Sequence, residues 1–159
     1  MAMKDKVTVI VEDKWIAVDD ETIEFENGFK LIPEHENLWA LHWKDGKGEY
    51  QFDDPPENYL FGPEHYYKYV DPYVRQWQEE KIRQDYAAEV EWNKPENVEA
   101  RARAQRNMLL AETDYMLMPD YPLTDEQREA WTAYRQDLRD LPEQEGWPFE
   151  ITWPVKPEA

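Results

Sequence analysis

The 159-residue chain has no cysteine, so a disulfide framework, a thiolate nucleophile and a Cys-based zinc site are all excluded. That absence fits a reducing compartment. Glycine is scarce, at 5 residues, and none of it forms the glycine-rich loop that cradles phosphates. Long apolar runs are missing too: "MAMKDKVTVIVEDK" reaches only from Val7 to Val11, too short for a signal-peptide core or a membrane span. The chain is expected to be soluble and cytoplasmic where it is made.

Net positive charge is also lacking. The formal charge is −18, and residues 1–60 hold 6 basic and 15 acidic side chains, residues 61–104 hold 7 and 9, and residues 105–159 hold 5 and 12. With no basic region, nucleic acid and anionic membranes are disfavoured as partners, while a basic protein partner stays open. What the chain has in abundance is aromatic residues, 8 Trp, 10 Tyr and 5 Phe, enough to build a core despite 34% charged residues.

Residues 1–62 read as a small antiparallel β module. "VTVIV", "WIAV" and "TIEF" are short β-branched or aromatic runs, the last ending at the turn pair Asn27–Gly28. In "LWALHWKDGKGEYQF", Trp39, Leu41 and Trp43 alternate onto one face, and "KDGKG" turns the chain into "EYQF". About five strands are expected. "PPENYLFGP" reads as a linker or a packed corner.

Residues 63–159 read as helical, so the fold class is α+β: the β module, then about three α-helices and an extended C-terminal segment. Asp71 as cap and Pro72 in the first turn begin one helix, whose Ile82, Tyr86 and Val90 recur at four-residue steps to about Trp92. A second runs through "ENVEARARAQRNMLLAETDYM", with Arg101, Arg103 and Arg106 expected to pair with Glu96, Glu99 and Glu112. The third opens with a capping box of Thr124 and Gln127 and carries Trp131, Tyr134, Leu138 and Leu141 on one stripe, with Arg135 and Arg139 beside it.

Little here points to catalysis. His35, His42 and His65 stand apart and read as turn or surface histidines, so no metal is expected. Adjacent carboxylates such as Asp53–Asp54 or Asp19–Asp20 arise readily among 36 acidic residues and read as a solvated face. No cofactor and no enzymatic activity are expected.

The chain ends in "GWPFEITWPVKPEA", where Trp147, Phe149, Ile151, Trp153 and Val155 alternate with polar residues and prolines, the pattern of an extended strip with one apolar face. The prolines rule out a central strand. Burying five such side chains yields a gross ~8–15 kcal/mol, against ~9–18 kcal/mol to order about nine residues. The strip therefore needs a preformed groove, either on the chain's own helix pair or on a partner.

One stretch is specific. "RNMLLAETDYMLMPDYPLTDEQREAWTAYRQDLRDLP" followed by "WPFEITWPVKP" resembles the phage tail assembly chaperone family, and its ending is similar to tail fibre assembly proteins. The resemblance spans residues 106–157 and rests on Thr113, Asp114 and Tyr115, on Pro119 and Asp120, on the helix Trp131 to Pro142, and on Trp153 to Pro157. Tyr115 stands where the family usually has Trp, and "MLMPDY" is more apolar than its pattern.

The resemblance implies a non-enzymatic chaperone that binds and masks a tail-fibre or other tail protein during folding and trimerisation, in the host cytoplasm. Residues 1–105, outside it, are expected to set which protein is served. Trp131, Tyr134, Leu138 and Leu141 are expected to pack as core on the chain's own second helix, and Trp131, Tyr134, Arg135, Leu138, Arg139, Trp147, Phe149, Trp153 and Val155 are the candidate partner contacts. Two other functions are open: a structural component retained in the virion tail as an adaptor, and, in a different class, an acidic DNA mimic. The near-balanced charge of residues 61–104 argues against the mimic.

Overall fold

A computed structural model describes residues 2–53 and 55–158. Two compact units, Met1–Ala87 and Ala88–Ala159, divide the chain, and the division falls inside a helix.

The first unit is a six-stranded antiparallel sheet of β1 (Lys6–Ile10), β2 (Trp15–Val18), β3 (Glu21–Glu24), β4 (Leu38–Lys44), β5 (Lys47–Phe52) and β6 (Glu57–Phe61), in the order β3-β2-β1-β4-β5-β6. Its two tightest hairpins turn on two residues each. Asp19 and Asp20 link β2 to β3, Asp45 and Gly46 link β4 to β5, and all four have the positive φ that such turns require. Alternation decides the buried face: Val7 and Val9 pair with Val18 and Ile16 on one side and with Trp43 and Leu41 on the other, and all six are buried.

Two expectations for this region are corrected. The segment read as a linker or packed corner supplies the sixth strand: Phe61, opposite Gly48, packs against the core, while Tyr59, opposite Tyr50, stacks on the Tyr50 ring from an exposed position. A Cβ on Gly48 would collide with the Phe61 ring, which fills the space that glycine leaves. Trp39 does not share a face with Leu41 and Trp43. The β4–β5 register shifts between Leu38 and Ala40, and this bulge leaves Trp39 exposed while Leu38, Ala40, Leu41 and Trp43 stay buried.

A short turn of helix, α1 (Tyr66–Tyr69), leads into α2 (Asp71–Trp92). Asp71 is therefore not the cap: Val70 already accepts the first helical bonds, and the buried Asp71 carboxylate accepts from Arg75 Nε at 2.6 Å. Tyr66, Val70, Tyr73, Val74 and Trp77 close the core over the sheet. At the β3 edge, Trp77 Nε1 donates to the Glu21 carbonyl at 3.1 Å and Gln84 to the Glu24 carbonyl at 3.0 Å.

His35 is wholly buried in this core, not at the surface. Its ring lies between those of Tyr50, Tyr69 and Tyr73, and its Nδ1 is 3.0 Å from the Tyr73 hydroxyl. Desolvation lowers its pKa to about 4, so the ring is neutral at pH 7, and burial raises the Tyr73 phenol well above its usual range. His42 and His65 are exposed. Of the carboxylate pairs, Asp19 and Asp20 form ion pairs with Lys4 and Lys6, Asp53 is exposed, and Asp54 lies outside the described residues.

The second unit holds the end of α2, then α3 (Pro95–Glu112), a 3-10 turn at Asp114–Leu117, α4 (Asp125–Asp140) and a 3-10 turn at Leu141–Glu143. Its core is Met116, Trp131, Tyr134, Leu138 and Leu141. The expected capping box is present: Thr124 accepts from the Gln127 N–H while the Gln127 side chain accepts from the Thr124 N–H. On α3 only Arg103 makes its expected helix ion pair, with Glu99. Arg101 instead stacks on Trp92, 3.8 Å from the ring centre, and Arg106 bonds Asn107.

Candidate protein-binding surface

α4 is strongly two-faced. Its apolar residues recur at three- and four-residue steps, and this stripe closes on Leu109, Leu110, Met116, Leu117, Tyr121 and Leu123. Trp131, Tyr134 and Leu138 are thereby buried in the chain's own core, with burial raising the Tyr134 pKa. The helix stripe packs on the chain's own second helix and the turn that follows it.

Arg135 belongs to the same interior. Its Nη1 donates to the Leu110 carbonyl at 2.6 Å and to Thr113 Oγ1 at 2.8 Å, and its Nη2 pairs with Asp114. The end of α3 has carbonyls with no helical partner of their own, and a guanidinium from α4 is a fitting donor there because it is cationic at a helix C-terminus. Thr113 completes the junction by donating to the Leu109 and Leu110 carbonyls. The Thr-Asp pair and the arginine of the later helix are thus two sides of one joint. The sequence reading had placed Arg135 at a partner surface; the distance between the two motifs, 21 residues from Asp114 to Arg135, hid the pairing.

Beyond Leu141 the chain is fastened back. Gln144 donates to the Thr152 carbonyl at 3.0 Å and accepts from the Thr152 N–H at 3.1 Å, a side-chain amide doing what a neighbouring strand would do. Between them lies a turn in which Phe149 and Glu150 both donate to the Gly146 carbonyl at 2.8 Å, with Gly146 at φ 88°. The expected single apolar face is therefore corrected. The turn breaks the alternation, so Trp147, Ile151 and Trp153 pack on the α4 core while Phe149 and Val155 point away, 61% and 90% exposed. Gln144 was missed from sequence, where an isolated glutamine eight residues before a threonine carries no signal.

Of the nine expected contacts, Arg139, Phe149 and Val155 are at the surface, Trp147 and Trp153 are half-buried, and Trp131, Tyr134, Arg135 and Leu138 are inside. Tyr115 and Met118, about half exposed, add apolar surface at the α3–α4 connection, where Arg128 holds the Tyr121 carbonyl at 3.2 Å. Glu145, Gly146, Trp147, Phe149 and Glu150 line an open depression. Its lining is aromatic and acidic.

No group of three or more His, Cys, Asp or Glu among the described residues is placed to hold a metal ion. Among the described residues no helix is long and apolar enough to cross a membrane.

Residues 99–158 match the family model described as phage tail assembly chaperone protein. The match takes in most of α3, the Arg135 joint, α4 and the fastened tail; the sheet lies outside it. No curated protein and no solved structure matches the chain. The family match supports a role in the assembly of phage tails, with tail proteins as partners.

Proposed function

We propose that the protein is a tail or tail-fibre assembly chaperone that binds a fibre or other tail protein in the host cell and masks it during folding and trimerisation. The observation that carries this reading is the C-terminal segment. Residues matching the chaperone family are anchored by Trp147, Ile151, Trp153 and the Gln144 clamp, and this anchorage presents Phe149 and Val155 to solvent. Rigid presentation matters because a side chain already ordered loses less entropy on binding.

The chemistry suits a transient holder. Folding intermediates of long β-rich proteins expose apolar edges that aggregate. A partner that covers such an edge with a few large apolar side chains, while its own surface stays highly acidic, keeps the pair soluble. Arg139, Phe149 and Val155 are the contacts assigned to the client; Trp131, Tyr134, Arg135 and Leu138 act one step back, by holding the surface in shape.

Co-expression with the neighbouring tail-fibre protein tests this. Soluble fibre trimer is expected to rise with the intact chain and to fall back with the doubly substituted Phe149→Asp/Val155→Asp protein, whose exposed positions leave its own fold unchanged. No gain in soluble trimer with the intact chain removes the chaperone reading. Stoichiometric presence in purified particles would replace it with a structural adaptor.

A further inference from the structure

The two edges of the sheet are treated differently. At β3, α2 covers the rim: Trp77 and Gln84 donate to the Glu21 and Glu24 carbonyls, and Lys81 pairs with the Glu21 side chain. β6 has no such cover. Its residues from Glu57 to Leu60 are all exposed, and among the described residues nothing outside the sheet bonds its main chain. The devices that usually protect an edge, a lysine, a proline or a bulge within the strand, are absent from β6 as well.

The register fixes which groups of β6 face outward. In an antiparallel ladder each residue directs its N–H and its C=O to one side, and successive residues alternate. The two-residue Asp45–Gly46 turn makes Lys44 and Lys47 a hydrogen-bonded pair, and Asp45 donates the other way, to the Asp5 carbonyl beside β1. Glu49 and Gln51 therefore face β4, which leaves Gly48, Tyr50 and Phe52 to bond Phe61, Tyr59 and Glu57. Asn58 and Leu60 then point both main-chain groups away from the sheet. Two donors and two acceptors, repeating about 7 Å apart, match the main chain of one more strand.

The side chains beside the edge define what that strand carries. Leu60 is 83% exposed on one face of β6 and Tyr59 41% exposed on the other, so apolar side chains of an added strand find cover on both faces. Residues 49–64 hold five acidic side chains, Glu49, Asp53, Asp54, Glu57 and Glu64, and no basic one. A second copy of the edge would bring the same five and be repelled, whereas a strand with lysine or arginine at its ends is attracted. We propose that the β6 edge is a docking site for an extended segment of another protein, apolar between basic residues, which joins the sheet as a seventh strand. Pro56 and Pro63 bracket the site, so the segment it takes is short. The inference goes beyond the chaperone reading and does not rest on it, since the sheet lies outside the family match.

Amide spectra of the full chain, titrated with a synthetic peptide that alternates valine and threonine between lysine ends, test this. The Asn58 and Leu60 amides are expected to shift, and their hydrogen exchange to slow about tenfold or more at saturation. Added salt weakens the response. Two control peptides are expected to have no effect: one with glutamate ends, and one N-methylated throughout, which keeps the side chains and charge but has no main-chain donor. Leu60→Pro removes an outward N–H that β5 does not use, and is expected to abolish binding while the amides of β1 to β5 stay in place. No shift at millimolar peptide overturns the proposal, as do equal binding of either control peptide or shifts confined to the helical unit. Exchange at Asn58 and Leu60 that slows with protein concentration alone would give the edge to a second copy and overturn it too. None of these results bears on the soluble-trimer assay, so the two readings fail separately.

Discussion

The two units of this chain solve the same problem, burying aromatic residues in a very acidic sequence, by different means. The sheet unit does it by layering: alternating side chains of β1, β2 and β4 meet the first turns of α2, and the rings of Tyr50, Tyr69 and Tyr73 surround a neutral histidine. The helical unit has no second layer of comparable size. It relies on one stripe of α4, a buried arginine that ties two helices end to side, and a tail strapped back by a glutamine. A layered core spreads its stability over many contacts, whereas a strapped core concentrates it in a few.

That contrast can be broken most severely at Trp131, the largest fully buried side chain of the helical unit. Trp131→Ala is expected to cost about 3–5 kcal/mol and, in hydrogen exchange, to deprotect α4 and the tail while β1, β2 and β4 stay protected. Loss of protection in the sheet as well would show the two units to be one cooperative structure.

The next effect is pH-dependent and confined to the sheet unit. Unfolded histidine takes a proton near pH 6.5, whereas buried His35 does so only near about 4, so in that window the unfolded chain binds more protons. Stability from the neutral ring is complete above pH 6.5 and falls as pH drops towards 4, by about 3 kcal/mol in all. Denaturant titrations between pH 6.5 and 4.5 measure the slope, which His35→Phe reduces, leaving the share of carboxylates such as Glu34 and Asp19 whose pKa the fold lowers. An unchanged slope in that variant would place the titrating group elsewhere.

The smallest effect sharpens the comparison instead of breaking it. Gln144→Ala removes both bonds to Thr152 and is expected to cost about 1 kcal/mol, read as faster exchange at the Thr152 amide with α4 unaffected. A loss as large as that at Trp131 would mean that the strap, not the stripe, holds the unit.

Local rules were legible where neighbours in sequence are neighbours in space. The Thr124–Gln127 capping box, the Asp45–Gly46 turn, the strands of regular alternation and the end of α2 at Trp92 all depend on residues within a few positions of one another. The sixth strand was hidden because Phe61 reaches the core only through the space that Gly48 leaves across the hairpin. The exposure of Trp39 follows from a bulge, which changes the count of residues against a neighbouring strand and leaves no mark in the strand's own alternation.

By itself, then, the sequence determined the class of the fold, the acidic surface, the chaperone-like motif of the C-terminal third and the helix stripe that needed burial. These are properties of composition and short-range period. Only the tertiary structure decided that Arg135 and the Trp131 stripe face inward, that His35 is enclosed, and that a glycine turn divides the terminal strip into anchors and exposed side chains. Each of these depends on which distant segment supplies the hydrogen bond or the covering ring, and packing chooses among such partners by the area and polar groups they satisfy together.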